Sequence, residues 1–146
     1  MEKLFKLSAS SENFTRLRPQ LRQLLEQSRL DEKKIEQVLL SVQEVLTNIL
    51  RHRYHGKPQE IELAFTDEPD KVTITLEDSG GKFDWTLIPD PKVPREEPGG
   101  LGIYLVRKSM DKVIYDADYK KGNRVRLIKF KKDPNDHARH PEKAPP

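Results

Sequence analysis

Two short stretches of strict alternation, Glu60–Phe65 and Val72–Leu76, constrain the fold of this chain more than any other feature. In the first, Ile61, Leu63 and Phe65 alternate with Glu62 and Ala64. In the second, Val72, Ile74 and Leu76 alternate with Thr73 and Thr75. A period of two places the apolar set on one face of a pleated strand. The linker Asp67–Asp70, with Pro69, is turn chemistry, so the pair reads as an antiparallel hairpin with one buried face. That face requires a cover.

Helical patterns ahead of the hairpin supply one. Phe14, Leu17, Leu21, Leu24 and Leu25 recur at helical spacing behind N-cap candidates in Ser10–Asn13. Pro19 lies inside this pattern and predicts a late start or a kink. Asp31 is a second N-cap with Glu32 in the first turn behind it. From there Val38, Val42, Val45, Leu46 and Ile49 form one stripe, and Gly56 and Pro58 mark its end. Lys3–Leu7 suits an edge strand. Leu101–Met110 resumes helical spacing, and Val113–Tyr115 and Val125–Phe130 read as strands joined across a turn at Lys121–Asn123. Hairpin links mixed with helices predict an α+β, two-layer sandwich whose mixed or antiparallel sheet is covered on one face by helices.

At 146 residues the chain fits one domain with a true core. It has no cysteine, which removes disulfides, thiolate metal sites and a Cys nucleophile and fits a reducing compartment. The first ten residues hold no apolar signal segment, and no run approaches the ~20 apolar residues of a spanning helix. A soluble, cytoplasmic protein without membrane attachment is expected. The 27 basic and 24 acidic residues nearly cancel. Without a strong basic excess, interleaved aromatics or a helix-turn-helix pattern, direct nucleic-acid binding is not expected.

Residues 78–100 lack periodicity and hold four prolines and four of the seven glycines. A segment of this kind inside a small domain reads as a functional lid or a disordered insert. The tail, 133–146, reads as disordered, leaving 1–132 as the domain.

Three groups could carry chemistry. Glu44, Asn48 and His52 lie four residues apart and share a helix face beside the apolar stripe. Asn is a mediocre mid-helix residue, and Leu46, Ile49 and Leu50 bring Asn48 close to the core, where its amide needs hydrogen-bond or metal partners. An amide oxygen beside a carboxylate suits a hard cation such as Mg²⁺. Asp78-Ser79-Gly80-Gly81 follows directly from a strand, with an acceptor at the strand mouth and a glycine that admits a flat ligand. Gly99-Gly100-Leu101-Gly102 precedes a helix whose first amides could face an anion. Singly, the first two are matched by ordinary roles, a solvated flank and a hairpin end, and the third is even with a flexible loop. Their order is more specific than any one of them.

In that order the chain resembles the GHKL ATPases, the fold shared by gyrase, sensor histidine kinases and anti-sigma kinases. The resemblance covers about residues 35–130. The family's E-x-x-x-N helix stands here as Glu44–Asn48, its D-x-G as Asp78-Ser79-Gly80, and its G-x-G as Gly100-Leu101-Gly102. The closest subgroup is the anti-sigma factor serine-protein kinases, through His52 and Tyr54 on the Asn helix, Phe83-Asp84, and the closing Gly122–Leu127. One departure is Lys82, which stands where D-x-G-x-G has its second glycine. The resemblance implies a Bergerat-type, histidine-kinase-like ATP-binding domain using ATP and Mg²⁺. It implies Asn48 as the metal ligand, Glu44 as the base, and Asp78 with Gly80 at adenine. Gly100, Leu101 and Gly102 would then lie at the phosphates, with His52 also on the nucleotide-binding helix. It further implies phosphorylation of a Ser or Thr on a small anti-anti-sigma (STAS-type) partner by a protein that otherwise holds a sigma factor inactive. Such kinases are often dimers, so a homodimer is an open expectation. An alternative of another class is a module in which nucleotide only supports sequestration of a sigma factor or other regulator.

Overall fold

The structure is a computed structural model that describes residues 1–52, 60–81 and 101–132, with the backbone alone at His52 and Leu101. Within these residues the order is β1 (Glu2–Ser8), α1 (Ser11–Gln27), α2 (Glu32–His52), β2 (Glu60–Asp67), β3 (Lys71–Asp78), α3 (Leu101–Ser109), β4 (Lys112–Tyr115) and β5 (Asn123–Phe130). The strands form one sheet in the order β1-β2-β3-β5-β4. Every neighbouring pair is antiparallel.

The alternation that predicted the hairpin decides the layers. Ile61, Leu63 and Phe65 of β2, Val72, Ile74 and Leu76 of β3, and Val125 and Leu127 of β5 are all buried on one face. They share a single core with Leu17, Leu21 and Leu25 of α1, the α2 stripe from Ile35 to Ile49, and Ile103 and Val106 of α3. The opposite face carries Thr73, Thr75, Glu77, Arg124 and Arg126, which stay partly or fully exposed. Burying each large side chain of the helix-covered face contributes about 1.5–3 kcal/mol relative to exposure, which makes this layer contact the main stabilising term.

α1 starts at Ser11, with Ser10 as N-cap accepting from the Asn13 N–H at 3.1 Å, and it runs through Pro19. The expected late start is therefore corrected. Pro19 is exposed, so the carbonyl one turn back that loses its donor lies on the water side, while the buried stripe of Leu17, Leu21 and Leu25 holds the helix down. Asp31 caps α2 as expected, accepting from the Lys34 N–H at 2.8 Å. Gly56 and Pro58, its expected stop, lie outside the described residues.

A second correction concerns Asn123. It is the first residue of β5, paired in register with Asp78, and not part of the turn. The alternation Asn123, Val125, Leu127, Lys129 explains this, because it continues the buried face to the strand's first residue. Two buried lysines tie segments together through backbone carbonyls. Lys129 Nζ donates to the carbonyl of Ser109, the last residue of α3, at 2.6 Å, and so places a cation at that helix's C-terminus. Lys34 Nζ donates to the carbonyl of Lys131 at 2.8 Å.

Candidate nucleotide-binding site

Asp78 ends β3 on the helix-covered face, where the period of two that buries Val72, Ile74 and Leu76 also buries its carboxylate. Chain direction then changes, and the Gly80 N–H turns back to donate to Asp78 Oδ1 at 2.9 Å. Asn123 Nδ2 donates to the same oxygen at 3.1 Å and to the Gly81 carbonyl at 2.9 Å. The Tyr115 hydroxyl donates to Asn123 Oδ1 at 2.5 Å. Gly122 makes this closeness of strands possible. Its φ is +138°, and a Cβ there would overlap the Asp78 carbonyl oxygen. Only glycine meets both conditions.

Glu44 and Asn48 sit one turn apart on α2, and both are half-buried. The helix around them is anchored by Val45, Leu46 and Ile49 in the core, which fixes the azimuth at which the two polar groups emerge. Glu44 reaches the first turn of α3, because a Cβ added to Gly102 would overlap Glu44 Oε2. That first turn carries no acidic residue of its own. Asn48 is the anomaly of the interior. Its Nδ2 is buried and has no hydrogen-bond partner among the described residues. A buried amide left this way costs about 1–3 kcal/mol, so native structures keep such groups where something else completes them. A half-turn about the Cβ–Cγ bond exchanges the donor end for the acceptor end, and an oxygen so placed is a hard-cation ligand. Asn48, with the Glu44 carboxylate one turn away, would thus suit a hard cation such as Mg²⁺.

Next to Asp78 in sequence, a charged cluster lies on the open face of the sheet. Arg124 pairs with Asp116 and stacks at 4.8 Å over the ring of Tyr119, whose hydroxyl donates to Glu77 at 3.2 Å. The guanidinium hydrogen-bonded to Asp116 holds that carboxyl below its ordinary value of 3.8. Burial, together with the Glu77 carboxylate, pushes the Tyr119 phenol up, so it stays a donor.

Of the residues singled out from sequence, the structure brings Glu44 against Gly102 and places Asn48 one turn along α2. It buries Asp78 with Gly80 folded onto it. Gly100, Lys82, Phe83, Asp84, Tyr54 and the side chains of His52 and Leu101 lie outside what is described, as do residues 82–100 and the tail 133–146. Tyr115 and Asn123 had no assigned part in the site. The signal for Asn123 was its phase with Val125 and Leu127, which buries an amide opposite Asp78.

The geometry agrees with comparison to known proteins. Residues 7–129 match the histidine kinase-like ATPase domain. The chain belongs to that family. Within the histidine kinase-like ATPases it is similar to the serine-protein kinase RsbW of Bacillus pumilus (strain SAFR-032), with 32% identity over 108 residues. That match covers 66% of this chain and 65% of the relative, so it spans just under two thirds of that kinase's length. The serine-protein kinase RsbW of Staphylococcus epidermidis is 28% identical over 136 residues, covering 86% of this chain and 84% of the relative. The α+β sandwich with an antiparallel sheet under helices is the architecture that the family resemblance implied. No helix among the described residues is long and apolar enough to cross a membrane.

Proposed function

We propose that this histidine kinase-like ATPase domain binds Mg·ATP and passes the γ-phosphoryl group to a serine or threonine hydroxyl of a small STAS-type anti-anti-sigma partner. In this reading it otherwise restrains a sigma factor. The observation that carries the reading is the junction of α2 with α3, where Glu44 meets Gly102 and the orphaned amide of Asn48 lies one turn away. The names of the RsbW relatives support the choice of a serine hydroxyl as acceptor.

Phosphoryl transfer asks a protein mainly for positioning and for charge stabilisation. Asp78, with Gly80 beside it, would accept from the adenine amino group and set how deep the ring sits. Asn48 would hold Mg²⁺, which supplies neutralisation of phosphate charge when bound. Gly102, with Gly100 and Leu101 before it, would present backbone amides to the phosphates, and His52 would flank the nucleotide on α2. The carboxylate of Glu44 would take the proton of the attacking hydroxyl. As the new O–P bond forms, the bond between the γ-phosphorus and the bridging oxygen breaks, and ADP leaves with that electron pair.

Transfer of ³²P from [γ-³²P]ATP to a purified STAS-type protein of the same cell tests the reading. Glu44→Ala is expected to lose about 100-fold or more in transfer while retaining the Mg·ATP thermal shift. Full transfer by that variant removes Glu44 as the base. Mg·ATP binding without transfer by the wild type, with tight sigma-factor binding, decides for the sequestering module instead.

A further inference from the structure

The side chain of Asn123 is fully buried and has a fixed polarity. Its Nδ2 faces three oxygens, Asp78 Oδ1 at 3.1 Å, the Gly81 carbonyl at 2.9 Å and the Gly80 carbonyl at 3.4 Å. Oδ1 already accepts from the Gly80 N–H and the two carbonyls have no hydrogen to give, so turning the amide over would set oxygen against oxygen. Tyr115 enforces the same sense from the other end, since its hydroxyl donates to Asn123 Oδ1. The result is a directed relay from a phenol on β4, through an amide on β5, to a carboxylate on β3.

The relay ends on one atom. Asn123 and the Gly80 N–H both donate to Oδ1 of Asp78, which fixes the rotation of the carboxylate about its Cβ–Cγ bond. A group needed only to join β3 to β5 could do so through the backbone ladder that already pairs them. Two donors on one carboxylate oxygen do something else. They hold the acid as an acceptor in one orientation, so that a ligand edge offering N–H is bound and an edge offering a carbonyl oxygen is repelled.

We infer that Tyr115 and Asn123 are positioning residues that orient the Asp78 carboxylate and thereby select a 6-aminopurine nucleotide over one lacking the amino group. The inference rests on the reading of Asp78 as the adenine-contacting residue.

Binding of Mg·ATP and of Mg·purine riboside triphosphate, which lacks the 6-amino group, is measured by calorimetry for wild type, Tyr115→Phe, Asn123→Ala and Asp78→Asn. Wild type is expected to prefer ATP by about tenfold or more, as the analogue lacks the N–H that the Asp78 carboxylate would accept. Tyr115→Phe is expected to weaken ATP by about three- to tenfold while changing the analogue by less than about twofold. Asn123→Ala narrows the preference further; if it fails to fold, Tyr115→Phe carries the test alone. Equal weakening of both nucleotides in Tyr115→Phe, or no weakening, overturns the inference. A wild type without preference, matched by Asp78→Asn, overturns the reading of Asp78 and the inference with it. A wild type that prefers ATP, with Tyr115→Phe keeping that preference in full, overturns the inference alone.

Discussion

The two ends of the site are built on opposite plans. Around Asp78, polar groups hold one another: carboxylate, amide, phenol and turn N–H form a buried set across three strands. Around Asn48, a buried donor has no partner among the described residues, and the neighbouring carboxylate of Glu44 rests against a bare glycine. The first end is finished before any ligand arrives, and such networks rigidify what they enclose. The second end holds an interaction in reserve, a standing cost of about 1–3 kcal/mol that a bound ligand can relieve. If the site takes a flat ring attached to a charged, metal-bearing chain, as proposed, it has reason to be rigid at the ring and incomplete at the charge.

Breaking the finished end is expected to cost most. Gly122→Ala forces a Cβ into the Asp78 carbonyl at a left-handed backbone angle, and urea unfolding is expected to show a loss of about 3 kcal/mol or more. A loss under about 1 kcal/mol would mean that the strands are not packed as described. The next contrast sets two truncations side by side. Asp78→Ala strands the donors of Asn123 and Gly80 and is expected to destabilise the ligand-free protein by about 2–4 kcal/mol. Asn48→Leu removes the orphaned donor, so the ligand-free protein is expected to hold or gain up to about 1 kcal/mol while the Mg·ATP thermal shift disappears. If Asn48→Leu unfolds as readily as Asp78→Ala, the comparison between the ends collapses.

Smaller effects sharpen it. Gly102→Ala meets, at clashing distance among the described residues, the far end of the flexible Glu44 side chain, so stability is expected to change by under about 0.5 kcal/mol. Phosphotransfer is expected to fall about tenfold as Glu44 is displaced. Unchanged transfer would detach Glu44 from the reacting group. The smallest effect lies at the rim of the finished end. The Asp116 carboxyl is lowered by its hydrogen bond to Arg124, so its contribution to stability is complete above the ordinary value of 3.8 and is lost as pH falls through the lower folded value. Below that ordinary value the wild type is expected to lose stability more steeply than Asp116→Asn in acid unfolding followed by circular dichroism. Parallel curves would remove the pair as a source of acid sensitivity.

Much of the fold was legible because period and burial are the same fact seen twice. The alternation in β2 and β3 announced which face is buried, and the stripe on α2 announced what covers it. Asp31 could be read as a cap because its chemistry is local. Pro19 misled because a proline rule applies to a helix judged by itself, while the leucines of α1 are held by the rest of the core. That Glu44 and Asn48 follow one another along a single helix was legible by spacing. The meeting of Glu44 with Gly102 was not, since two helices are brought together there by packing between distant segments. Asn123 was hidden for the opposite reason. In a Lys-Gly-Asn run it resembles a turn residue, and only the pairing of β3 with β5 shows that its amide lies against Asp78.

That pairing has a consequence in time as well as in space. Asp78 and Asn123 stand 45 residues apart in the chain, and β5 is the last of the described strands to be made. A ribosome that has released β3 has produced the carboxylate but not the amide that aims it. If Asp78 recognises the nucleotide as proposed, a nascent chain is blind to its ligand until the closing strand emerges and finds its place between β3 and β4. Nucleotide binding then reports completion of the sheet, and could be used to follow it during synthesis or refolding.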